Sequence, residues 1–569
     1  MASLYAKKVN GGTYYYLREM ARVDGKPKRV SERYLGTAEE IAAAMAAKAA
    51  KDAASMPQHS RHLAFGDVAA AWGVLERLGV VDTVDTMIGA RRSDAAASTG
   101  TYLALAALNR VAAPCSKAAF ADWWATTAAD RITRVPAAAL DHRRFWDAMR
   151  NVPLSALAEI ERRITLRMIE EFSLDVSALA LDMTNFATYI DTANGKAPIA
   201  QRGKAKQKRA DLRLVGLGLV VTRDGGVPLL SHAYPGNRPD VTQFTTMIDE
   251  LCVRHAALAS GDATPGEITV VFDAGQNSVA NFTHLDRSGL HFVGSIPPSH
   301  CADLLKRPAR ARTLVDEPRF GGLTALQTRR TVYGRDRRVV LTHSPTLHTA
   351  QSRGFDQTLA KAGARLGDLA AALARGKTRR APEKVQAEIS AITKDPWVAR
   401  VTTTELTGGT PKDLRLTWHI DAKARRALEN EIFGKRVLVT DHNDWTIADI
   451  VAGYRSQSDA EFSFRQLKDP HIVSFGPMHH WTDHNIRIHV FTCVLALTVA
   501  HLMRRQAARA DEPMSVRELL GHLAGIQETV LIYPSTGGRP KARRMLTDLT
   551  TVQAHLAAIF DLDPSAPRT

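Results

Sequence analysis

Cysteine is scarce in this chain. Four are present in 569 residues, Cys115, Cys252, Cys301 and Cys493, far apart, without a CxxC pair or a histidine partner at zinc spacing. That spacing argues against a disulfide framework or a thiolate zinc site and predicts a reducing compartment. A long apolar run is missing too. The most apolar stretch, Ile488 to Met503, is shorter than a membrane span and is interrupted by His489 and His501, so it reads as a buried core helix. The opening Met-Ala-Ser-Leu-Tyr-Ala-Lys-Lys has no apolar segment of the signal-peptide kind, and the expectation is a cytoplasmic protein with no membrane contact. No internal repeat is visible. Acidic residues are outnumbered, 59 against 75 Lys and Arg, for a formal charge of +16. That balance fits a nucleic-acid partner, and it fits equally an Ala- and Arg-rich proteome with no special partner.

A chain this long exceeds one hydrophobic core and predicts several domains. Residues 1–62 open with short strand-like runs around Asn10-Gly-Gly, a hairpin signal, and form a small basic β unit followed by an Ala-rich helix. Residues 63–176 show apolar spacing of three and four, as in Leu154 to Phe172, and predict a helical DNA-binding or dimerisation domain. From 177 to 296 the pattern turns to strands. Ser177–Met183, Leu212–Thr222 and Val227–Ala233 come first, the last two flanking the turn Arg223-Asp-Gly-Gly. A helix over Val241–Cys252, with Asp240 as its N-cap, precedes strands at Glu267–Asp273 and His291–Ile296. Residues 297–435 break this order and read as an inserted α/β domain. The strand from Arg436 and a helix with a core stretch behind it (436–505) return to the interrupted fold, and 506–569 reads as a mostly helical region.

Three segments carry chemistry. In Ala-Leu-Asp182-Met-Thr and Val-Val-Phe-Asp273-Ala-Gly an aspartate follows an apolar strand-like run; Glu461 lies in Tyr454-Arg-Ser-Gln457-Ser-Asp-Ala-Glu461-Phe-Ser-Phe-Arg465-Gln-Leu-Lys468. Two strand-borne carboxylates and one helical one make a set of hard oxygen ligands, the kind Mg²⁺ takes. In a basic chain the matching substrate is a nucleic-acid phosphate, and a pair of ions can serve both oxygens of an in-line displacement. Tyr454, Gln457, Glu461, Arg465 and Lys468 fall at steps of three or four and share one helical face. Each element alone has a plainer reading, a strand-end cap or an exposed face of i,i+4 ion pairs; the combination is what is specific.

With Leu181-Asp182-Met-Thr184, Gly216-Leu-Gly-Leu219, Pro228-Leu-Leu-Ser-His-Ala-Tyr-Pro-Gly-Asn237 and Asp273-Ala-Gly-Gln-Asn277, the chain resembles bacterial insertion-sequence transposases of the DDE type. These carry a Tyr-x2-Arg-x3-Glu-x6-Lys signature, matched here by Tyr454, Glu461 and Lys468, with Gln457 in the arginine's place. The resemblance covers roughly 177–295 and 436–505. It implies an α+β multidomain chain whose RNase H-like mixed-sheet catalytic core is interrupted by an insertion. It also implies two Mg²⁺ ions (Mn²⁺ as a substitute) on Asp182, Asp273 and Glu461, DNA contacts from Tyr454 and Lys468, and a homodimer on DNA. The expected activity is cleavage at the element's terminal inverted repeats and transfer of the strand to target DNA, at the nucleoid. A structure-specific nuclease on the same core, or a non-catalytic DNA-binding derivative, are the alternatives. The glutamine puts one backbone contact in doubt, for which Arg455 or Arg465 could compensate.

The loop carrying Lys204, Lys206, Lys208 and Arg209 follows the first aspartate's strand and stands open between DNA contact and a solvated loop. Arg375–Arg380 and Arg539–Arg544 read as solvated turns, and Trp397, Trp418 and Trp445 as core residues. His479 and His480 read as capping or packing groups. Asp441 is a lesser candidate ligand, standing in should the assignment of Glu461 fail.

Overall fold

The run Ala178-Leu-Ala-Leu opens an inner strand, third from one edge, of a nine-stranded mixed sheet in the computed structural model of the chain. The structure describes all residues except 1, 24, 90–94, 207–208, 210, 260–266, 378–379, 477, 535–541 and 564–569. It is a mixed α/β multidomain protein with two compact units: Val74–Lys117 with Asp141–Val516, and Met1–Gly73 with Ala118–Leu140 and Arg517–Thr569.

The larger unit holds the sheet. Its strands are β1 (Ala178–Thr188), β2 (Arg213–Thr222), β3 (Pro228–Pro235), β4 (Thr269–Phe272), β5 (His291–Ile296), β6 (Thr313–Leu314), β7 (Thr324–Val332), β8 (Arg335–His343) and β9 (Lys435–Thr440). Their order across the sheet is β6-β7-β8-β9-β5-β4-β1-β2-β3. β1, β2 and β3 are antiparallel neighbours, β4 and β5 run parallel to β1, and β9 returns antiparallel to β5. Helices cover both faces because β4 and β5 alternate apolar residues to each side. Phe272 and Phe292 pack against Phe244 of α1 (Phe244–Ala259) and Phe282 of α2 (Val279–Ser288). Val271 and Val293 point the other way, into a cluster with Leu438, Val340, Ile450 and Val451.

Residues 313–343, which fall within the segment read as an insertion, add β6, β7 and β8 to this sheet through the pairing of β8 with β9. Pro345–Phe433 then builds a core of its own. Phe355, Leu366, Val385, Leu414 and Phe433 are buried together, with Trp397 and Trp418 packed against them. The long apolar helix, Asp483–Arg509, is buried along most of its length, as its sequence predicts.

In the smaller unit, Ala2–Val9, Gly12–Val23 and Lys26–Gly36 form an antiparallel sheet. The Asn10-Gly11 turn has both residues at positive φ (47° and 83°), which suits Asn-Gly and the strand twist. A second sheet pairs His59–Ala64 with Gln527–Ile532 and Ala542–Leu546, so the C-terminal region contributes strands as well as helices. His59–Ala64 and Gln527–Ile532 are hundreds of residues apart, and no local pattern announces such pairing.

Gly216 on β2 shows why that position stays bare. An added Cβ would lie 2.2 Å from the ring of Tyr234, whose hydroxyl donates to Asp240 at 2.6 Å. Gly216→Ala is expected to lower stability by about 1–3 kcal/mol through overpacking. A thermal melt reads this, and an unchanged midpoint would contradict it.

Candidate active site

β1 and β4 pair as far as Ala180 and Val271 and then diverge. Asp182 and Asp273 each lie two residues beyond those last paired positions. Asp182 is thus a mid-strand residue, still paired across β2 to Leu219, rather than a strand end. Asp273 ends β4 and caps the short turn Ala274–Gln276. Its Oδ1 accepts from the Ala274 amide at 2.8 Å, the Ser295 hydroxyl at 2.7 Å and the Tyr454 hydroxyl at 3.1 Å. All three converge on one oxygen, which leaves Oδ2 available to a cation.

The helical segment with the third carboxylate is two helices, α3 (Ile447–Arg455) and α4 (Gln457–Lys468), separated at Ser456. A capping box of Thr446 and Asp449 starts α3. α4 lies along β1 and is tied to it twice. The Gln457 side chain donates to the Leu181 carbonyl at 2.9 Å, and Lys468 Nζ donates to the Thr184 hydroxyl at 2.8 Å. Between these anchors, one turn after Gln457, Glu461 faces a cavity of about 430 Å³ that Asp273, Tyr454 and Gln457 also line. The carboxylates sense one another. Asp182 is pushed up to about 6, chiefly by burial and further by the charges of Glu461 and Asp273, against the pull of the Met183 amide and Lys206. Asp182 is half-buried and Asp273 and Glu461 are exposed, and three carboxylates brought near one another are a donor set that suits a divalent cation.

Basic and phenolic groups surround them. Lys206 Nζ donates to the Met183 carbonyl and, at 2.8 Å, to Asp240. Asp240 therefore serves Lys206 and Tyr234 instead of capping α1, as its place in the sequence had implied. Lys468 is held below its ordinary range by burial and by Lys206. Tyr454 is pushed up by burial and by Asp273. Arg436 donates to the Tyr454 hydroxyl at 3.1 Å and lines the same cavity.

No protein-family model matches the chain, and no curated protein matches it. Among solved structures it is similar to the piggyBac transposase in a synaptic complex with hairpin DNA. The TM-score is 0.38 and the identity 8%, over 87% of this chain and 82% of that one. A likeness this slight carries no argument about fold or activity.

The structure thus brings Asp182, Asp273, Glu461, Tyr454, Gln457, Lys468 and Lys206 to one neighbourhood. Gln457 is buried with its amide committed to Leu181, so it works inside the protein rather than on its surface. Arg455 is exposed over the Phe320 ring and lines the cavity. Arg465 is exposed over Phe462. Arg209 is paired with Asp211 at 2.7 Å, and the Lys204 carbonyl accepts from Asn185 at 2.9 Å. Lys208 lies outside the described residues, as do parts of the Arg375–Arg380 and Arg539–Arg544 runs. Sequence reasoning missed Arg436 and Ser295. Arg436 did carry a signal, since it follows Lys435 at the start of a strand, and Lys435 points inward to the Leu305 carbonyl, leaving Arg436 on the other face.

Asp441 is not at this site. It follows β9 beside His291 and Thr269, the first residues of β5 and β4, about 13 Å along the strands from Asp273. His291, Asp441 and His442 place one ligand atom each within 4.8 Å of one another, alone in this among the described residues. Their rings do not converge on one ion, however. His291 and His442 are stacked at 4.5 Å with a 24° interplanar angle, and a metal must lie near the plane of each ring it binds. His442 is also stacked on Trp445, and its Nε2 lies 2.7 Å from the Thr269 hydroxyl. Asp441 accepts from the Phe292 amide and lies 3.0 Å from His291 Nδ1, as a strand cap does.

Proposed function

We propose that this protein is a DNA transposase of the DDE type, cutting DNA at the ends of its own element and joining the freed strand to a target. The observation that carries the proposal is the placement of Asp182, Asp273 and Glu461 by β1, β4 and α4. The order β3-β2-β1-β4-β5, three antiparallel strands and then two parallel ones, supports an RNase H-like core. The motif resemblance around these residues supports the same reading.

Two divalent ions, Mg²⁺ or Mn²⁺, would supply activation of the attacking oxygen and stabilisation of the leaving one. Asp182, Asp273 and Glu461 would hold them. The rest of the work falls to the chain. Tyr454 fixes Asp273 by bonding its Oδ1 and leaves Oδ2 free. Gln457 and Lys468 hold α4 against β1, so that Glu461 stays over Asp182. Lys206 adds positive charge where a phosphate backbone would approach. Hydrolysis would release a 3′-hydroxyl, and that hydroxyl would attack the target phosphate; both are in-line displacements at one site. Transposition joins two ends, so a homodimer on DNA is part of the proposal, as is a place at the nucleoid in the cytoplasm.

The test uses purified protein, Mg²⁺ and labelled DNA from the inverted repeats that flank its gene. Cleavage followed by joining is expected. Cutting without joining would make the protein a nuclease, and tight binding without cutting would leave a DNA-binding protein.

A further inference from the structure

We propose that Arg436 and Arg455 form a binding site for a nucleic-acid phosphodiester beside the carboxylates, in place of the arginine that Gln457 replaces. The inference rests on the reading of this site as a phosphodiester-processing one. It concerns a residue, Arg436, that lies outside the signature helix.

Four observations lead to it. Arg436 and Arg455 line the same cavity as Asp273 and Glu461. Both are exposed, and neither forms an ion pair with a carboxylate among the described residues. The other cations nearby are committed. Lys206 is held by Asp240 and the Met183 carbonyl, Lys468 by Thr184, and Arg319 pairs with Glu317 at 3.2 Å. Arg436 and Arg455 are instead held by neutral groups that fix position without removing charge. Arg436 donates to the Tyr454 hydroxyl and sits over its ring, while Arg455 lies 4.3 Å from the centre of the Phe320 ring.

The two guanidinium groups share the lining of this cavity. Arg455 is held below its ordinary value by burial and then by the charges of Arg319 and Arg436. Neither guanidinium is paired with a carboxylate among the described residues, so both remain available to an anion that enters the cavity. A phosphodiester is the fitting anion, because guanidinium groups bind its oxygens in pairs. Gln457, which cannot supply a cation, is turned inward onto Leu181. The position of Arg436 follows from the topology, since it is the second residue of β9, entered directly after Gly434 closes the inserted segment. The insertion therefore returns the chain with a cation at the site.

The experiment measures binding of a fluorescent duplex of about 30 base pairs of arbitrary sequence, without metal, over a range of salt concentrations. The slope of log affinity against log salt is expected to fall by about one in Arg436→Ala and in Arg455→Ala, and by about two in the double variant. Arg436→Lys keeps the charge and is expected to keep the slope. A double variant that melts like the wild type and shows the wild-type slope overturns the proposal. If the alanine variants do not fold, Arg436→Gln with Arg455→Gln carries the same expectation. Cleavage is scored separately. Slopes that fall in a protein that never cuts DNA leave the anion site and remove the transposase reading. Cleavage that needs the carboxylates but ignores both arginines does the reverse.

Discussion

Asp182→Asn, Asp273→Asn and Glu461→Gln are each expected to reduce Mg²⁺-dependent DNA cleavage and joining by about a thousandfold or more. They should do so without loss of the fold. Asn at 273 still offers one carbonyl oxygen to the Ala274 amide and to the hydroxyls of Ser295 and Tyr454, all three of which bond Oδ1 in the native protein. Glu461 is exposed, so its amide costs little. At 182 the change removes a half-buried carboxylate whose charge is disfavoured by burial and by Glu461 and Asp273. The melting temperature of Asp182→Asn without metal is therefore expected to match or exceed that of the wild type. Added Mg²⁺ should raise the wild-type midpoint and leave the variant's unmoved, because binding to the folded state alone is what shifts the transition. Activity falling while metal-free stability rises separates a ligand from a structural carboxylate. A variant that cuts DNA at the wild-type rate would remove its residue from the site.

Some of this was legible in the sequence and some was not, for physical reasons. β1 to β5 were visible because each is an apolar run bounded by turn residues, and Asp224-Gly-Gly between β2 and β3, like Asn10-Gly11 in the smaller unit, marks a hairpin by backbone conformation alone. Asp182 and Asp273 stood out as candidates because each sits at a fixed offset from such a run, and Glu461 because it shares a helical face with Tyr454, Gln457, Arg465 and Lys468. The joining of β6 to β8 onto the main sheet was not, since all of Pro345–Phe433 lies between β8 and its partner β9. The face of the signature helix was misleading. Its spacing implied one exposed polar stripe, yet the chain breaks at Ser456, Tyr454 and Gln457 are buried, and Lys468 reaches inward to Thr184. Periodicity reports which side chains share a face, not which neighbour covers it. The neighbour here is β1, whose Leu181 carbonyl and Thr184 hydroxyl make a buried amide and a half-buried ammonium tolerable.

The second large effect is expected from acid. His489 and His501 on the long core helix are buried, and burial holds His489 well below its ordinary value and His501 at about 3. Arg110 and Lys117 add positive charge around His489, and Arg504 does so around His501. The sign follows from proton counting. Below about pH 6.5 the unfolded chain binds a proton at each imidazole and the folded protein does not, so stability is full above that pH and falls as pH drops toward the folded values. Two such groups are worth about 2.7 kcal/mol per pH unit in that window. Asp182 and Asp459, both raised to about 6, act in the opposite sense over part of it, because folding favours their protonated forms. Glu159, lowered to about 2 by Arg162 and Arg163, adds acid lability only below its ordinary range near 4.5. The histidine contribution is therefore read as a difference. His489→Gln with His501→Gln should melt below the wild type at pH 7.5, and the gap should narrow steadily toward pH 5. A gap that stays constant across that range would mean that neither imidazole is kept neutral by the fold.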